Sequence, residues 1–286
     1  MKILLTGASG FIGTYFRKKY SSKYSMSYFS FLNNNFEDLC LNEIEVVVHL
    51  SALVHQMGGA SKEEYYNINL NQTISLAKKA KLSGVKHFIF MSTVKVYGDE
   101  SNVKYTENSE CLTNEYYGMS KLKAEENLQK LENDTFKISI IRTPIVYGYG
   151  VKANIKNLIT LTSKIPFLPF GNIDNVRSMI YIGNLSYLIT TIIDKQESGV
   201  FLASDDKSIS TSQLIELIAK KLNKHIFLLN IPFFEDILRI LKPDFHKRLY
   251  GSFEIDNSLT RKILNLNNPY TIEEGIEIMI TGKENK

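Results

Sequence analysis

Tryptophan is absent from this chain of 286 residues, and it holds only two cysteines, Cys40 and Cys111, and six prolines. Two thiols cannot build a disulfide framework or a cysteine-rich metal site, so the chain reads as a reduced, cytoplasmic protein with no resident metal. Long apolar runs are also missing. The longest, at 46–54 and 226–234, fall short of the 18 or more residues of a membrane span. The strand-like Ile3-Leu4-Leu5-Thr6 follows Lys2 at once and leaves no room for a signal peptide. Neither sign of charge dominates: 34 Lys and Arg stand against 30 Asp and Glu, for a net +4, without basic clusters. That balance argues against a nucleic-acid partner. No internal repeat is present. What remains, 44% hydrophobic and 22% charged residues, is globular composition, at a length that buries its own core without staples.

The first half alternates short β-branched runs with helical spacings. Residues 3–6, 25–31, 46–50, 87–91 and 138–142 read as strands, and 11–20, 63–81 and 117–131 as helices. Gly84 falls where a left-handed helix cap belongs. Alternation of this kind implies a parallel sheet with right-handed crossovers and helices on both faces. After about Gly150 the pattern becomes irregular. Helical spacing recurs at 153–164, 185–194, 211–222 and 271–281, with Ser210 and Thr211 as caps for the third. A late strand is expected at 200–203. The expected architecture is therefore α/β: a Rossmann, doubly wound parallel sheet over 1–150, and a smaller mixed lobe over 151–286. Part of that lobe, about 176–205, returns to the sheet. The run 226–241, followed by Lys242, His246, Lys247 and Arg248, reads as core of this lobe. Contact with a membrane surface is the alternative, which Pro232 and Pro243 weaken.

Three local patterns carry chemistry. Gly7-Ala8-Ser9-Gly10-Phe11-Ile12-Gly13 follows the first strand and opens the first helix. Glycines there permit a tight turn and close approach of a pyrophosphate, and the helix N-terminus supplies amides and partial positive charge. Tyr117-Gly118-Met119-Ser120-Lys121 sets a phenol and an ammonium four apart, on one helical face. A lysine there favours the phenolate and lowers the tyrosine pKa, giving a proton acceptor for a sugar or alcohol hydroxyl. Tyr116 is the alternative phenol, but its four-residue partner is Ser120. The third pattern, Met91-Ser92-Thr93-Val94-Lys95-Val96-Tyr97-Gly98, puts two hydroxyls at a strand end.

The G-x-x-G-x-x-G spacing, with Thr6 before it and Phe11-Ile12 within, resembles the extended short-chain dehydrogenase/reductases, the NAD-dependent epimerase/dehydratase group. Tyr117 to Glu125 resembles that family's Y-G-x-S-K-L-x-A-E, and Arg142-Thr143-Pro144-Ile145-Val146-Tyr147-Gly148 its R-P-x-x-V-Y-G. The resemblance implies Thr93, with Ser92 as runner-up, Tyr117 and Lys121 as catalytic residues. It implies NAD or NADP on Gly7, Ser9, Gly10, Phe11, Ile12 and Gly13, on Leu50, Ser51 and Ala52 of a segment similar to H-L-A-A, and on Tyr117 and Lys121. Asn69 matches the family's asparagine in V-N-x-x-G-T. Arg177 matches an arginine that grips a nucleotide diphosphate, though a surface ion pair would also explain it. Asn154, otherwise a helix cap, and Arg248 are further substrate contacts.

Leu53-Val54-His55-Gln56-Met57, Ser92–Val96 and the segments around Asn154 and Arg177 resemble a bacterial branch acting on UDP-N-acetyl sugars for surface polysaccharide. That branch includes UDP-glucose 4-epimerases and reductases forming UDP-N-acetylquinovosamine. The reading this favours is reduction of a UDP-4-keto-6-deoxy-N-acetylhexosamine in a homodimeric enzyme. The alternatives are 4-epimerisation, also of a polyprenyl-diphosphate-linked sugar, and more distantly a non-catalytic dinucleotide sensor. Val94 and Lys95 stand where a dehydratase would carry Asp-Glu. The stretch 28–33 offers neither an acid for the ribose hydroxyls nor an arginine for a 2′-phosphate, so NAD and NADP both stay open.

Overall fold

The computed structural model describes residues 1–54, 60–100 and 103–284. His55, Gln56 and Met57 of the subgroup segment lie outside the described residues. The chain order begins β1 (Lys2–Thr6), α1 (Phe11–Tyr20), β2 (Ser25–Phe29), β3 (Val46–His49), α2 (Lys62–Tyr65), a π-helical turn (Tyr66–Asn71) and α3 (Gln72–Leu82). It continues with β4 (His87–Thr93), a 3-10 turn (Val94–Val96), α4 (Tyr116–Gln129), β5 (Lys137–Thr143), β6 (Ile145–Tyr147), α5 (Ala153–Lys164), β7 (Phe167–Leu168) and β8 (Met179–Tyr181). It ends with α6 (Ile182–Lys195), β9 (Gly199–Leu202), α7 (Thr211–Lys221), β10 (Phe227–Leu228), α8 (Phe234–Leu241), α9 (Pro243–Tyr250), α10 (Ser258–Leu264) and α11 (Ile272–Thr281).

Six strands pair in the order β2-β1-β3-β4-β5-β9, parallel throughout. Side chains alternate across a strand, so each strand feeds two cores. Ile3, Leu5, Val46, Val48, Ile89 and Ile141 meet α1 and α6 on one face. Leu4, Val47, Phe88, Phe90, Ile138 and Ile140 meet α3 and α4 on the other. Each such side chain, buried in full, contributes about 1.5–3 kcal/mol. The chain winds outward from β1 to β2 and then crosses to β3, so the switch point of the sheet lies between β1 and β3. Ligands of such sheets bind at the carboxyl ends of the strands around that point. The second lobe has its own apolar cluster, which includes Tyr147, Ile155, Met179, Tyr181, Ile218 and Ile276.

Three expectations change. β2 stops at Phe29, because the chain turns at Ser30: Asn33 and Asn34 donate backbone N–H to its carbonyl, and the Asn34 side chain accepts from its N–H at 3.1 Å. The helix expected over 63–81 contains the π turn, where one extra residue per turn aims Asn69 inward. The run 226–241 is only partly lobe core: Ile226, Leu228, Phe234 and Leu238 pack on a buried cluster of the lobe, but no residue of α8 is fully buried. Among the described residues, no helix is long and apolar enough to cross a membrane.

α4 is fixed to the sheet by a buried ion pair. Arg142, at the end of β5, donates to Glu125 of α4 through Nη2 at 2.6 Å and Nε at 3.1 Å, with side-chain exposures of 7% and 2%. Its Nη1 donates to the Tyr97 hydroxyl at 2.8 Å, and the Ser92 hydroxyl donates to the same carboxylate. Removing one partner strands the other's charge in a dry interior. Arg142→Met is expected to cost about 3–5 kcal/mol in denaturant unfolding, and Glu125→Leu added to it to restore much of that loss.

Candidate active site

The glycine loop sits at the carboxyl end of β1. Gly7 has φ +68°, and a Cβ there would lie 2.8 Å from the Leu50 carbonyl carbon and the Ser51 nitrogen, so only glycine lets β1 and β3 close at the switch point. A Cβ on Gly13 would stand 2.2 Å from the Gly7 carbonyl oxygen, so α1 could not fold back over the loop. Gly10 differs. It is exposed, with extended backbone, and its added Cβ meets only the Gly7 carbonyl oxygen, at 3.2 Å. α1 begins there with no side-chain cap and no acidic residue in its first turn. Uncapped amides at a positive helix end beside an open glycine fit the pyrophosphate of a dinucleotide. Ser9 is exposed above this turn. Ile12 and Leu50 pack on the sheet core and Phe11 on the second lobe's, while Ser51 and Ala52 stay half-buried at the end of β3.

Hydrogen bonds of fixed direction join this loop to α4. The Thr73 hydroxyl donates to the Asn69 carbonyl at 2.9 Å, so its oxygen must accept from His49 Nε2, also at 2.9 Å. His49 Nδ1 is then the acceptor for Thr6 Oγ1 at 2.7 Å, and Thr6 Oγ1 accepts from the Ser51 N–H at 3.3 Å. Burial pushes the His49 imidazole down to about 3, which keeps it neutral in this role. Asn69 clamps Leu53 through both main-chain groups at 2.9 Å and donates to Ser120 Oγ at 3.1 Å. Ser120 donates in turn to the Tyr117 carbonyl at 2.8 Å.

The catalytic candidates converge at the carboxyl end of β4. A Cβ on Gly118 would lie 2.7 Å from the Lys95 carbonyl oxygen, so glycine lets α4 start directly against the turn that follows Thr93. Burial raises the Tyr117 phenol to about 12, the neighbouring Thr93 hydroxyl pulls the other way, and Tyr65 adds a small upward push. The Tyr65 ring lies 6.0 Å from that of Tyr117. Thr93 and Ser92 point to opposite faces of the strand. Ser92 is engaged by Glu125, whereas the Thr93 hydroxyl accepts from the Lys95 N–H at 3.2 Å on the side of the phenol. Tyr116 is half exposed, at 50%.

Lys121 departs from expectation. It is 2% exposed, its ammonium donates to the Met91 carbonyl at 2.7 Å and lies 4.3 Å from the centre of the Phe90 ring. Burial lowers it to about 7, against the opposing pull of Glu125. It therefore does not lower the Tyr117 phenol in this arrangement. Burial dominates both groups, and at neutral pH Tyr117 is a protonated donor.

The second lobe brings fewer of the predicted residues together. The Arg177 guanidinium is committed to backbone carbonyls at the end of α9, Gly251 at 2.8 Å and Lys247 at 2.7 Å, with Glu100 nearby. No salt bridge among the described residues engages it, although the Glu100 carboxylate partly offsets its charge. Arg248 is half-buried on α9 itself, and Asn154 is exposed on the first turn of α5, where Lys152 rather than Asn154 is the cap. No hydrogen bond among the described residues joins Asn154 to either arginine. The sequence patterns assigned no role to Glu125, Tyr97, Thr73 or Tyr65. Glu125 closes Y-G-x-S-K-L-x-A-E, Tyr97 lies in the Met91–Gly98 pattern and Thr73 is the threonine of V-N-x-x-G-T, whereas Tyr65 carried no signal.

A parallel sheet with a dinucleotide loop at its switch point and a Tyr-x-x-x-Lys helix one strand further on defines an extended short-chain dehydrogenase/reductase. The chain belongs to the NAD dependent epimerase/dehydratase family, whose profile matches residues 3–202. The cofactor is accordingly NAD or NADP, and the loop fits either. Over 96% of this chain and 93% of the relative, it is 37% identical to a UDP-glucose 4-epimerase of Vibrio cholerae. Over 81% of this chain and 75% of the relative, it is 27% identical to an N-acetyl-alpha-D-glucosaminyl-diphospho-ditrans,octacis-undecaprenol 4-epimerase of Escherichia coli O157:H7. The UDP-glucuronic acid 4-epimerase of Bacillus cereus, solved with NAD, has the same fold, with a TM-score of 0.77 and 22% identity over 97% of this chain and 96% of that one.

Two outcomes test the site. Gly10→Val should leave the melting temperature within a few degrees of wild type but weaken NAD(H) and NADP(H) binding tenfold or more by fluorescence titration, whereas Gly13→Val should destabilise the fold itself by several kcal/mol. Lys121 has a folded pKa below its unfolded value, so folding carries a charge-burial penalty that is full below about pH 7 and vanishes above about pH 10.5. Lys121→Met is therefore expected to be more stable than wild type near pH 6, with an advantage that shrinks as the pH rises toward 10. Melts across that range check it, and an advantage independent of pH would contradict it.

Proposed function

We propose that this chain is a 4-epimerase of a UDP-activated hexose or N-acetylhexosamine, with residues 1–150 holding the dinucleotide and 151–286 most of the sugar nucleotide. The observation that supports this best is the placing of Tyr117 close to Thr93 and one helical turn from the buried Lys121, in a chain similar along nearly its whole length to a UDP-glucose 4-epimerase. Bound NAD supplies a reversible hydride acceptor for the sugar carbon. The chain's own groups handle the proton: the Tyr117 phenol exchanges it with the oxygen on carbon 4, and the Thr93 hydroxyl holds that oxygen and spreads its developing charge. Lys121 orients the nicotinamide ribose. A charged Lys121 ammonium close to Tyr117 would favour the phenolate. Arg177 and Arg248 hold the diphosphate, and Asn154 flanks it.

Reduction of a UDP-4-keto-6-deoxy-N-acetylhexosamine uses the same groups and is the second reading. It is favoured by the end of β2, where Ser30 and the Asn34 turn offer no carboxylate to retain NAD. Dehydration is disfavoured, since Val94 is buried and Lys95 pairs with Asp99 where an acid pair would act.

Supplied with UDP-N-acetylglucosamine or UDP-glucose and no added cofactor, the enzyme should form the 4-epimer without net change in nicotinamide absorbance. Stoichiometric consumption of NADH or NADPH with the 4-keto-6-deoxy sugar, and no reaction with the other two, would replace epimerisation by reduction. Conversion only of a polyprenyl-diphosphate sugar would keep the chemistry and change the substrate.

A further inference from the structure

α8 and the residue before it carry more apolar surface than the fold covers. Phe233, Ile237, Ile240 and Leu241 recur at i, i+4, i+7 and i+8, on one arc of the helix. Phe234 and Leu238, on the inner flank of that arc, rest on the cluster that contains Leu168, Phe170, Ile215 and Leu249. The other four face outward, at 77%, 51%, 77% and 73% exposure in chain order. The surface runs on through Leu229 and Ile231 to the β7–β10 ribbon, where the Phe167 and Phe227 rings stack 5.3 Å apart, each 57% exposed. A contiguous apolar surface of this kind marks an interaction site.

Its charges favour one occupant. Glu235 lies on the opposite arc and Asp236 on the flank beside Ile240; within the chain they contact His246 at 3.1 Å and Arg239 at 2.5 Å respectively. Lys164 before the ribbon's first strand, Lys224 before its second and Lys242 at the end of α8 are all exposed and flank the apolar segments in sequence, with Asp236, held by Arg239, and Asp244 as the acidic exceptions. A second copy of this chain, packed face to face by a two-fold axis, would set these lysines against one another.

We propose that the outer arc of α8 and the β7–β10 ribbon seat the protein on an anionic lipid bilayer. Phe233, Ile237, Ile240 and Leu241 enter the boundary between headgroups and acyl chains, and the three lysines lie among the lipid phosphates. α9 links this surface to the sugar site, because its terminal carbonyls hold Arg177. A lipid-linked sugar diphosphate gripped by Arg177 would run its chain past α9 toward α8. That last step alone rests on the diphosphate reading given above.

Co-sedimentation with vesicles reads this without turnover. The full-length protein should bind phosphatidylcholine vesicles containing about one third phosphatidylglycerol, bind pure phosphatidylcholine far less, and lose binding as salt rises. Ile240→Glu with Leu241→Glu should lower partitioning tenfold or more, and Lys242→Glu about fivefold. Epimerisation of a soluble UDP-sugar without vesicles should stay as in wild type, so a wrong catalytic reading would show separately. The two-glutamate variant alters only solvent-facing side chains, and an unchanged melting temperature verifies its fold. Absence of vesicle binding, equal binding by wild type and variant, or loss only of self-association in analytical ultracentrifugation would overturn the proposal.

Discussion

The interaction on which the site depends is the buried pair between Arg142 and Glu125. Tyr117 and Lys121 ride on α4, and Thr93 ends β4. Nothing covalent near the site holds helix to strand, and the apolar contacts of Ala124 and Leu128 with the sheet face tolerate sliding. An Arg–carboxylate fork does not, because its hydrogen bonds are directional and its charges have no solvent to fall back on. Arg142 belongs to the strand beside β4, with Ser92 paired to Arg142 and Thr93 to Thr143 in the ladder. Glu125 takes both the arginine and the Ser92 hydroxyl. One carboxylate thus reads the register of two strands and sets the helix against both. Buried pairs add little net stability over apolar residues of the same shape, so we read this one as registry: it fixes where the phenol meets the threonine.

A second constraint reaches the same helix from the cofactor side. The bonds from Ser51 through Thr6, His49 and Thr73 to Asn69, and on to Ser120, each leave their donors and acceptors a single consistent assignment. The strand ends beneath the glycine loop and the first turn of α4 are therefore parts of one network. The π turn is what admits Asn69 to it. With ordinary α-helical winding over 66–71, the side chain would be rotated away from Leu53 and Ser120.

These layers were unequally legible in the sequence. The parallel sheet was readable because each strand, each crossover helix and the turns at Gly7 and Gly84 announce themselves within a few residues. The glycine loop and the Tyr117–Lys121 spacing are likewise local. Ser92 against Thr93 is decided by the pleat and by Glu125, thirty-odd residues away, so no local pattern separates them. The protonation behaviour was misread for the same reason. Adjacency of a lysine and a tyrosine on one helical face predicts attraction, but the depth of burial that raises one and lowers the other is a property of the assembled fold. α8 was misread in the opposite sense. Its apolar period is what a core helix shows, and only the fold reveals that most of that arc has nothing packed on it.

The second lobe is where the arrangement of the site depends on the rest of the chain. Arg177 is placed by bridges to Ile209 and Phe253 and by the two carbonyls that close α9. Asp205, just past β9, accepts from the Tyr147 hydroxyl, the Tyr181 amide and Asn184, so the last strand of the large sheet is tied to the small β6–β8 sheet. Burial raises its carboxyl to about 6, with those donors opposing the rise. The lobe is thus anchored to the dinucleotide sheet through β9 and, at its other end, meets Arg177 through α9. Arg177 and the outer surface of α8 are thus joined through α9, while Thr93, Tyr117 and Lys121 on β4 and α4 are set by Glu125 and Arg142.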